Sequence, residues 1–305
     1  MRPAISVVIP THNRLDVLPE VVAALAAQEG APPFETLVVD DGSTDGTADW
    51  LERQAANRLR VLRQPNQGPA AARNHGVAEA RGERVAFLGD DTVPAPDWLA
   101  RHARAAGERP DADRLGVIGY TSWHPRMRLN PFLRYVNEHG LQFGYALIED
   151  PEDVPFNFLY TSNLSLPRRL LLEEPFDLRF PYPAWEDTEL GYRLTRRGLR
   201  LVYEPAARAA HDHPTTIRRF TVRQEKAGYS AVVFYLLHEE LGPFLGLGPQ
   251  GPPPLPPRRR QLLREIVAMA LQPWPVSMPE TWEELLRYHY VRGLHRGWRD
   301  LVDPG

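Results

Sequence analysis

Asp90 and Asp91 stand side by side where an apolar run ends. The apolar run Arg84 to Leu88 reads as a buried strand, and it empties through Phe87-Leu88-Gly89-Asp90-Asp91-Thr92-Val93-Pro94 into two carboxylates. In an open α/β sheet, ligands collect at the carboxyl ends of strands. Two acids there are costly unless something positive joins them, and hard divalent cations prefer carboxylate oxygen. The plain alternative is a solvated loop that caps the next helix.

Other polar groups follow strand ends in the same way. Asp41, in Asp40-Asp41-Gly42-Ser43-Thr44-Asp45-Gly46, faces a cleft where its carboxylate can accept from a nucleobase N–H, with Ser43 or Thr44 as the N-cap of the helix that follows. The spacing of residues 41, 43, 45, 47, 49 and 52 imitates a calcium loop, but such a loop follows a helix, and this one follows the β-branched Thr36-Leu37-Val38-Val39. Gly68-Pro69-Ala70-Ala71-Ala72-Arg73-Asn74 opens a helix whose free N–H groups and Arg73 suit a phosphate, or simply a tight helix with a surface arginine. Glu186, Asp187 and Glu189 crowd one helical first turn, which suits the helix dipole and equally a general base. His211 and His213 flank Asp212 beyond the last strand, where paired imidazoles ligate a metal or form a surface turn.

The elements that hold these groups alternate. Strands over residues 5–9, 36–39, 59–63, 84–88, 115–121, 158–166 and 199–203 alternate with helical patterns over 15–28, 44–56, 69–80, 96–105, 131–146 and 186–197. Alternation of this kind predicts an α/β fold: a Rossmann-like, mixed but mostly parallel sheet flanked by helices. After His213 the character changes to a C-terminal helical extension, with helices over 222–241, 258–271 and 279–296 and a Pro-rich linker at 242–257. The expected domains are therefore 1–215 and 216–305. In the last helix Trp282, Leu285, Leu286, His289 and Tyr290 share one face, and Arg287, Arg292, Arg296 and Arg299 the other. That pattern fits docking on the catalytic domain, contact of the arginines with anionic lipid or a phosphate-bearing acceptor, or a homodimer seam.

A net charge of −3 over 305 residues argues against a general nucleic-acid binder. No cysteine is present, so disulfides and thiolate metal sites are excluded. No apolar run is long enough to span a bilayer, and the first strand begins without room for a signal peptide, so a cytoplasmic location is expected. Lys226 is the single lysine among 36 basic residues, and with 31 prolines this suggests a thermophile or a GC-rich genome.

These motifs, in this order, resemble family 2 glycosyltransferases of the GT-A fold. The resemblance runs from residue 4 to about 213 through Val7 to Arg14, Val38 to Asp45, Asn66 to Asn74, Phe87 to Pro94, Thr161 to Leu166, and Glu186 to Leu194. It implies inverting transfer of a sugar from a nucleotide-diphosphate sugar donor to a sugar, lipid-linked or small-molecule acceptor, in polysaccharide, glycolipid or other glycoconjugate synthesis. The cofactor implied is a divalent cation, Mn2+ or Mg2+. Asp187 takes the catalytic-base position. Pro10, Thr11, Asn13, Arg14, Asp41, Arg73, Asp90 and Asp91 take the nucleotide-sugar side, and Trp123, Asn163, Trp185 and Glu186 the acceptor side. The aromatic stretch 120–160, with Tyr120, His124, Tyr135 and Tyr145, is expected to line that acceptor side too. Asp91 takes the metal position, with His211 or His213 completing the shell. The loop departs from the family's Asp-x-Asp in having Gly89 first, which removes one anionic ligand and leaves a catalytically weak or inactive sugar-nucleotide binder as the alternative. A nucleotidyltransferase or a dinucleotide-dependent dehydrogenase would need glycine-rich first turns that Pro10-Thr11-His12-Asn13-Arg14 does not provide.

Overall fold

A computed structural model describes all residues except 1, 56–58, 273, 275, 304 and 305. Its principal elements are β1 (Ile5–Thr11), α1 (Leu18–Ala26), β2 (Phe34–Asp41), α2 (Thr47–Gln54), β3 (Leu59–Gln64), α3 (Pro69–Glu79), β4 (Arg84–Leu88), β5 (Thr92–Pro94), α4 (Trp98–Gly107), β6 (Leu115–Trp123), α5 (Pro131–Glu138), β7 (Asn163–Pro167), α6 (Arg168–Glu173), α7 (Glu186–Arg196), β8 (Arg200–His211), α8 (Ile217–Leu237), α9 (Arg258–Leu271) and α10 (Pro279–Leu301). The chain divides into two compact units. One comprises Met1–Met127, Tyr145–Leu178 and Glu186–His213, the other Arg128–Gly144, Arg179–Trp185 and Pro214–Gly305.

The first unit is built on one eight-stranded sheet in the order β3-β2-β1-β4-β7-β6-β8-β5. Four of its seven pairings are parallel: β3 with β2, β2 with β1, β1 with β4, and β6 with β8. The central strands β4 and β7 are buried along their whole length because both faces of the sheet are covered. Val7, Ile9, Val38, Ala86 and Leu88 pack with Leu18, Val21 and Leu25 of α1 and with Trp98 and Leu99 of α4. On the other face α3 lies so close that a Cβ on Gly76 would meet Val8 Cγ1 at 2.4 Å.

Several boundaries differ from expectation. Helix α2 starts at Thr47, not 44: Gly46 is left-handed (φ 92°), and Asp45 Oδ1 accepts from Thr47 N at 3.0 Å, so neither Ser43 nor Thr44 is the cap. Helix α5 stops at Glu138 because Gly140 turns left-handed (φ 69°) and Leu141 N donates back to Val136 O. Of the expected 158–166 strand only 163–166 is extended, as part of β7 (Asn163–Pro167); Phe156–Phe158 is a 3-10 turn, and Asn163 N donates to Tyr160 O. The last strand runs on to His211 instead of ending at Tyr203. Its register against β6 shifts between Gly119 and Tyr120, so that residues 205–207 form a bulge around Pro205, whose missing N–H reads in sequence as a strand end.

In the second unit, α10 packs along α8. Gly228 and Gly293 make the crossing close: a Cβ on Gly293 would lie 2.1 Å from Glu225 O. Trp282, Leu285, Leu286, His289 and Leu294 of α10 are buried. Tyr135 of α5 packs on Trp282 with ring centroids 5.2 Å apart, so it is a core residue of this unit and not part of an acceptor-binding surface. The 242–257 segment is not a free linker: Leu245 and Leu247 are buried, and Tyr290 Oη donates to Leu245 O at 2.9 Å. No helix among the described residues is long and apolar enough to cross a membrane.

Candidate active site

The carboxyl ends of β1, β2 and β4 gather the predicted polar groups in the first unit. Asp91 follows β4 and is the hub of one cluster. His211 ends β8, which pairs Thr92 of β5 opposite His211, so the register delivers that imidazole to the acidic loop. His211 Nε2 lies 3.3 Å from Asp91 Oδ1, and His213 Nδ1 lies 2.9 Å from Oδ2. Arg14, just beyond β1, donates from Nη2 to Asp91 Oδ2 at 3.2 Å and holds Nε 3.6 Å from Asp90 Oδ1. One ligand atom each from Asp91, His211 and His213 fall within 4.8 Å of one another, so the residues present fit a divalent cation. Trp123 stacks on the His211 ring at 5.7 Å, so it fixes this imidazole, and Asp212 pairs with Arg126.

Burial raises the Asp91 carboxyl, but hydrogen bonds and charge from His211 and His213 outweigh it and hold the group well below the usual range. Asp90 goes the other way. Burial and the Asp91 charge push it up to about 7 against the pull of Arg14 and of hydrogen bonds from Thr11 and the His12 backbone. Gly89 is where a side chain does not fit: its Cβ would stand 2.6 Å from Thr92 Oγ1 and 3.2 Å from Asp91 Oδ1. A first acid added here would have to shift the Thr92 side chain and would crowd Asp91.

Asp41 is buried and already engaged. Its Oδ1 accepts from Gln64 Nε2 at 2.8 Å and Gln67 N at 2.9 Å, and its Oδ2 accepts from Gly68 N at 2.8 Å. It therefore anchors the entry to α3, and base recognition is left to what acceptor capacity remains. Asn13 (φ 55°) ties the loop after β1 to the loop after β2: its N donates to Ser43 Oγ, and its Oδ1 accepts from Thr44 N at 2.7 Å. Pro10 and Thr11 complete β1, and Thr11 is buried.

A second group forms where α3 meets α7. Arg73 does not point to an open anion site. Its Nη1 lies 3.1 Å from Glu186 Oε1, its guanidinium sits 5.5 Å from the Phe176 ring centroid, and both partners of the ion pair are largely buried. Asp187 Oδ1 accepts from Thr188 N at 2.8 Å. Burial raises the Asp187 carboxyl, against Arg73 and the backbone N–H groups of Thr188 and Thr161. Glu186 is pushed up to about 7 by burial and by the Asp187 charge, again against Arg73. Glu189 turns away to pair with Arg193 at 2.7 Å, leaving Glu186 and Asp187 as the acids of this group.

Two further acceptor-side expectations, Asn163 and Tyr145, need correction. Asn163 is fully buried; its amide donates to Tyr120 O and Ala207 O, and its Oδ1 accepts from Trp98 Nε1 at 2.8 Å and contacts His102 Nε2, so it knits β7 to β6, β8 and α4. Tyr145 packs among Tyr120, Tyr160 and Tyr203 as a core ring. Trp185 belongs to the second unit, where its indole N–H donates to Ala227 O at 3.0 Å. Phe176, beneath Arg73, was not foreseen, because nothing in a lone phenylalanine marks it as the partner of a residue 103 positions earlier.

A model of the family described as glycosyl transferase family 2 matches residues 6–164. Validoxylamine A glucosyltransferase of Streptomyces hygroscopicus subsp. limoneus is 32% identical over 232 residues, covering 65% of this chain and 49% of that protein. Pre-mycofactocin glycosyltransferase of Mycobacterium tuberculosis is 30% identical over 244 residues, covering 77% and 48%. The chain thus spans about half the length of these curated relatives. A mannosyltransferase of Pyrobaculum calidifontis, solved with GDP-Man and Mn2+, superposes with a TM-score of 0.65 over 99% of this chain and 88% of its own, at 18% identity. That likeness is one of fold and identifies the sheet as the GT-A arrangement. The matched span runs from β1 into β7 and takes in more than half of the sequence, and on it the protein belongs to glycosyl transferase family 2.

Proposed function

We propose that the protein transfers a sugar from a nucleoside-diphosphate sugar to an acceptor hydroxyl with inversion, with Asp187 as the general base. The observation that carries this reading is the pairing, within one unit, of a built Asp/His/His cluster with a buried acid pair at the start of α7. A raised carboxyl is a better base than an ordinary one, and the N–H groups of Thr188 and Thr161 orient it without neutralising it. Asp91, His211 and His213 would hold the divalent cation. Two imidazoles with one carboxylate favour Mn2+ over Mg2+, which prefers oxygen. When bound, the cation supplies positive charge to the departing diphosphate. Arg14 brings a further positive charge to the same edge, beside Asp90 and Asp91. The mannosyltransferase structure with GDP-Man and Mn2+ and the glycosyltransferase relatives support the donor class and the cation.

A thermal-shift panel of UDP-, GDP- and dTDP-sugars with Mn2+ identifies the donor, because a ligand that binds the native state raises the melting point. With that donor, Asp187→Asn is expected to keep donor binding and lower turnover by about two to four orders of magnitude, the usual worth of a positioned base. Near-normal turnover in Asp187→Asn would overturn the assignment.

A further inference from the structure

Helix α9 presents its apolar residues the wrong way round for a helix that packs on its own domain. An amphipathic surface helix turns its large hydrophobic side chains inward. In α9 the buried positions are Gln261 and Ala268, a polar and a small residue. The large ones face out: Leu262 is 53% exposed, Leu263 65% and Ile266 57%, with Val267 beside them. These positions recur at three- and four-residue spacing and form one continuous stripe. Leu255 before the helix and Trp274 after it are also exposed, Trp274 by 63%.

The exposed charges described at the start of the helix are basic. Arg258 and Arg259 are exposed at the start of α9. The acid of the helix, Glu265, is partly buried and acts on His289, on the inner side. Arg264 is tied to Glu284. Three arginines of α10 have ion-pair partners within the unit. Arg292 and Arg296 lie 3.6 and 3.5 Å from Glu225, Arg296 also covers the Tyr182 and Tyr229 rings, and Arg299 pairs with Asp300.

We propose that α9, flanked by Leu255 and Trp274, is a membrane-surface element that lies in the interface of an anionic lipid bilayer. An interfacial helix needs an apolar stripe to enter the acyl boundary, an amphipathic ring at headgroup depth and basic residues for the lipid charge, and this segment has all three. Charge complementarity selects a lipid surface carrying negative headgroups over a neutral one. The proposal stands apart from the sugar-transfer reading, since no residue of α9 belongs to the first unit.

The test is co-sedimentation of the full chain with sucrose-loaded vesicles of phosphatidylcholine alone and of phosphatidylcholine with about 30% phosphatidylglycerol, at low and at high salt. The expected result is binding to the anionic vesicles that weakens with salt. A double substitution, L263E with I266E, is expected to lower vesicle partitioning at least about tenfold, since each change removes an inserted apolar side chain and adds a repelled charge. R258Q with R259Q is expected to lower binding to anionic vesicles while leaving whatever binding remains on neutral ones. All four positions are exposed, so thermal unfolding should be unchanged. Absence of binding by the native chain at low salt, or equal binding by the L263E/I266E variant, overturns the proposal. So does a concentration-dependent dimer in light scattering that L263E/I266E abolishes while vesicles are not bound, which would assign the stripe to a second copy of the chain.

Discussion

Replacing Arg73 with methionine takes a buried positive charge away from Glu186 and Asp187 and leaves a side chain of similar length over Phe176. Arg73 Nη1 is 3.1 Å from Glu186 Oε1, with side-chain exposures of 13% and 6%. An opposite charge this close ordinarily lowers a carboxyl's pKa by about one to three. Burial and the Asp187 charge already place Glu186 at about 7, and burial raises Asp187, with Arg73 opposing the rise in both. Removing Arg73 destabilises the ionised forms while the neutral forms lose little, so the apparent values of the pair move up. The two acids interact, so the titration belongs to the pair. A base must be ionised to accept a proton. Activity in Arg73→Met should therefore fall at neutral pH and return as the pH is raised. A displacement of about one to three pH units corresponds to a loss of roughly 10- to 1,000-fold on the acidic limb. The assay is the pH profile of kcat/KM for both proteins with the donor found by thermal shift. The expected result is an acidic limb moved upward, with the alkaline plateau little changed. An unmoved limb together with a raised KM for the donor would refute this reasoning. It would place Arg73 on the donor phosphates, as its position at the start of α3 suggests in sequence.

Three further outcomes follow from the same geometry. His213→Ala should weaken Mn2+ binding in calorimetry by at least about tenfold, the lower range for losing even an outer partner of a metal ligand, and unchanged affinity would remove His213 from the site. Asp41→Ala leaves the N–H groups of Gln67 and Gly68 without their acceptor and should cost about 2–4 kcal/mol in denaturant unfolding, whereas a change below about 0.5 kcal/mol would contradict an anchoring role. Gly293→Ala drives a methyl group to 2.1 Å from Glu225 O and should destabilise the second unit by about 1–3 kcal/mol, read as a lowered melting point; an unchanged melting point would mean that α8 and α10 separate freely.

The βα alternation, the acidic loop after β4 and the acids at the start of α7 were legible in the sequence because each is local. Strand and helix periodicities, a carboxylate after an apolar run, and acids in a first helical turn are all set by near neighbours along the chain. Pairings between distant residues were not. Pro205 reads as a strand end, yet the bulge at residues 205–207 lets β8 continue, and only the resulting register sets His211 beside Asp91. Arg73 reads as a phosphate fork, yet packing of α3 against α7 spends it on Glu186, 113 residues away. Asn163 reads as a ligand-facing amide, yet its place in the middle of the sheet buries it among four hydrogen-bonding partners. Residues 258–271 read as one more helix; that it buries Gln261 and Ala268 and leaves Leu262, Leu263 and Ile266 outside is decided by tertiary packing. Local patterns determine which elements form and what chemistry their ends carry. The partner each side chain meets is decided by strand register and helix packing, which bring together residues whose separation along the chain carries no periodic signal.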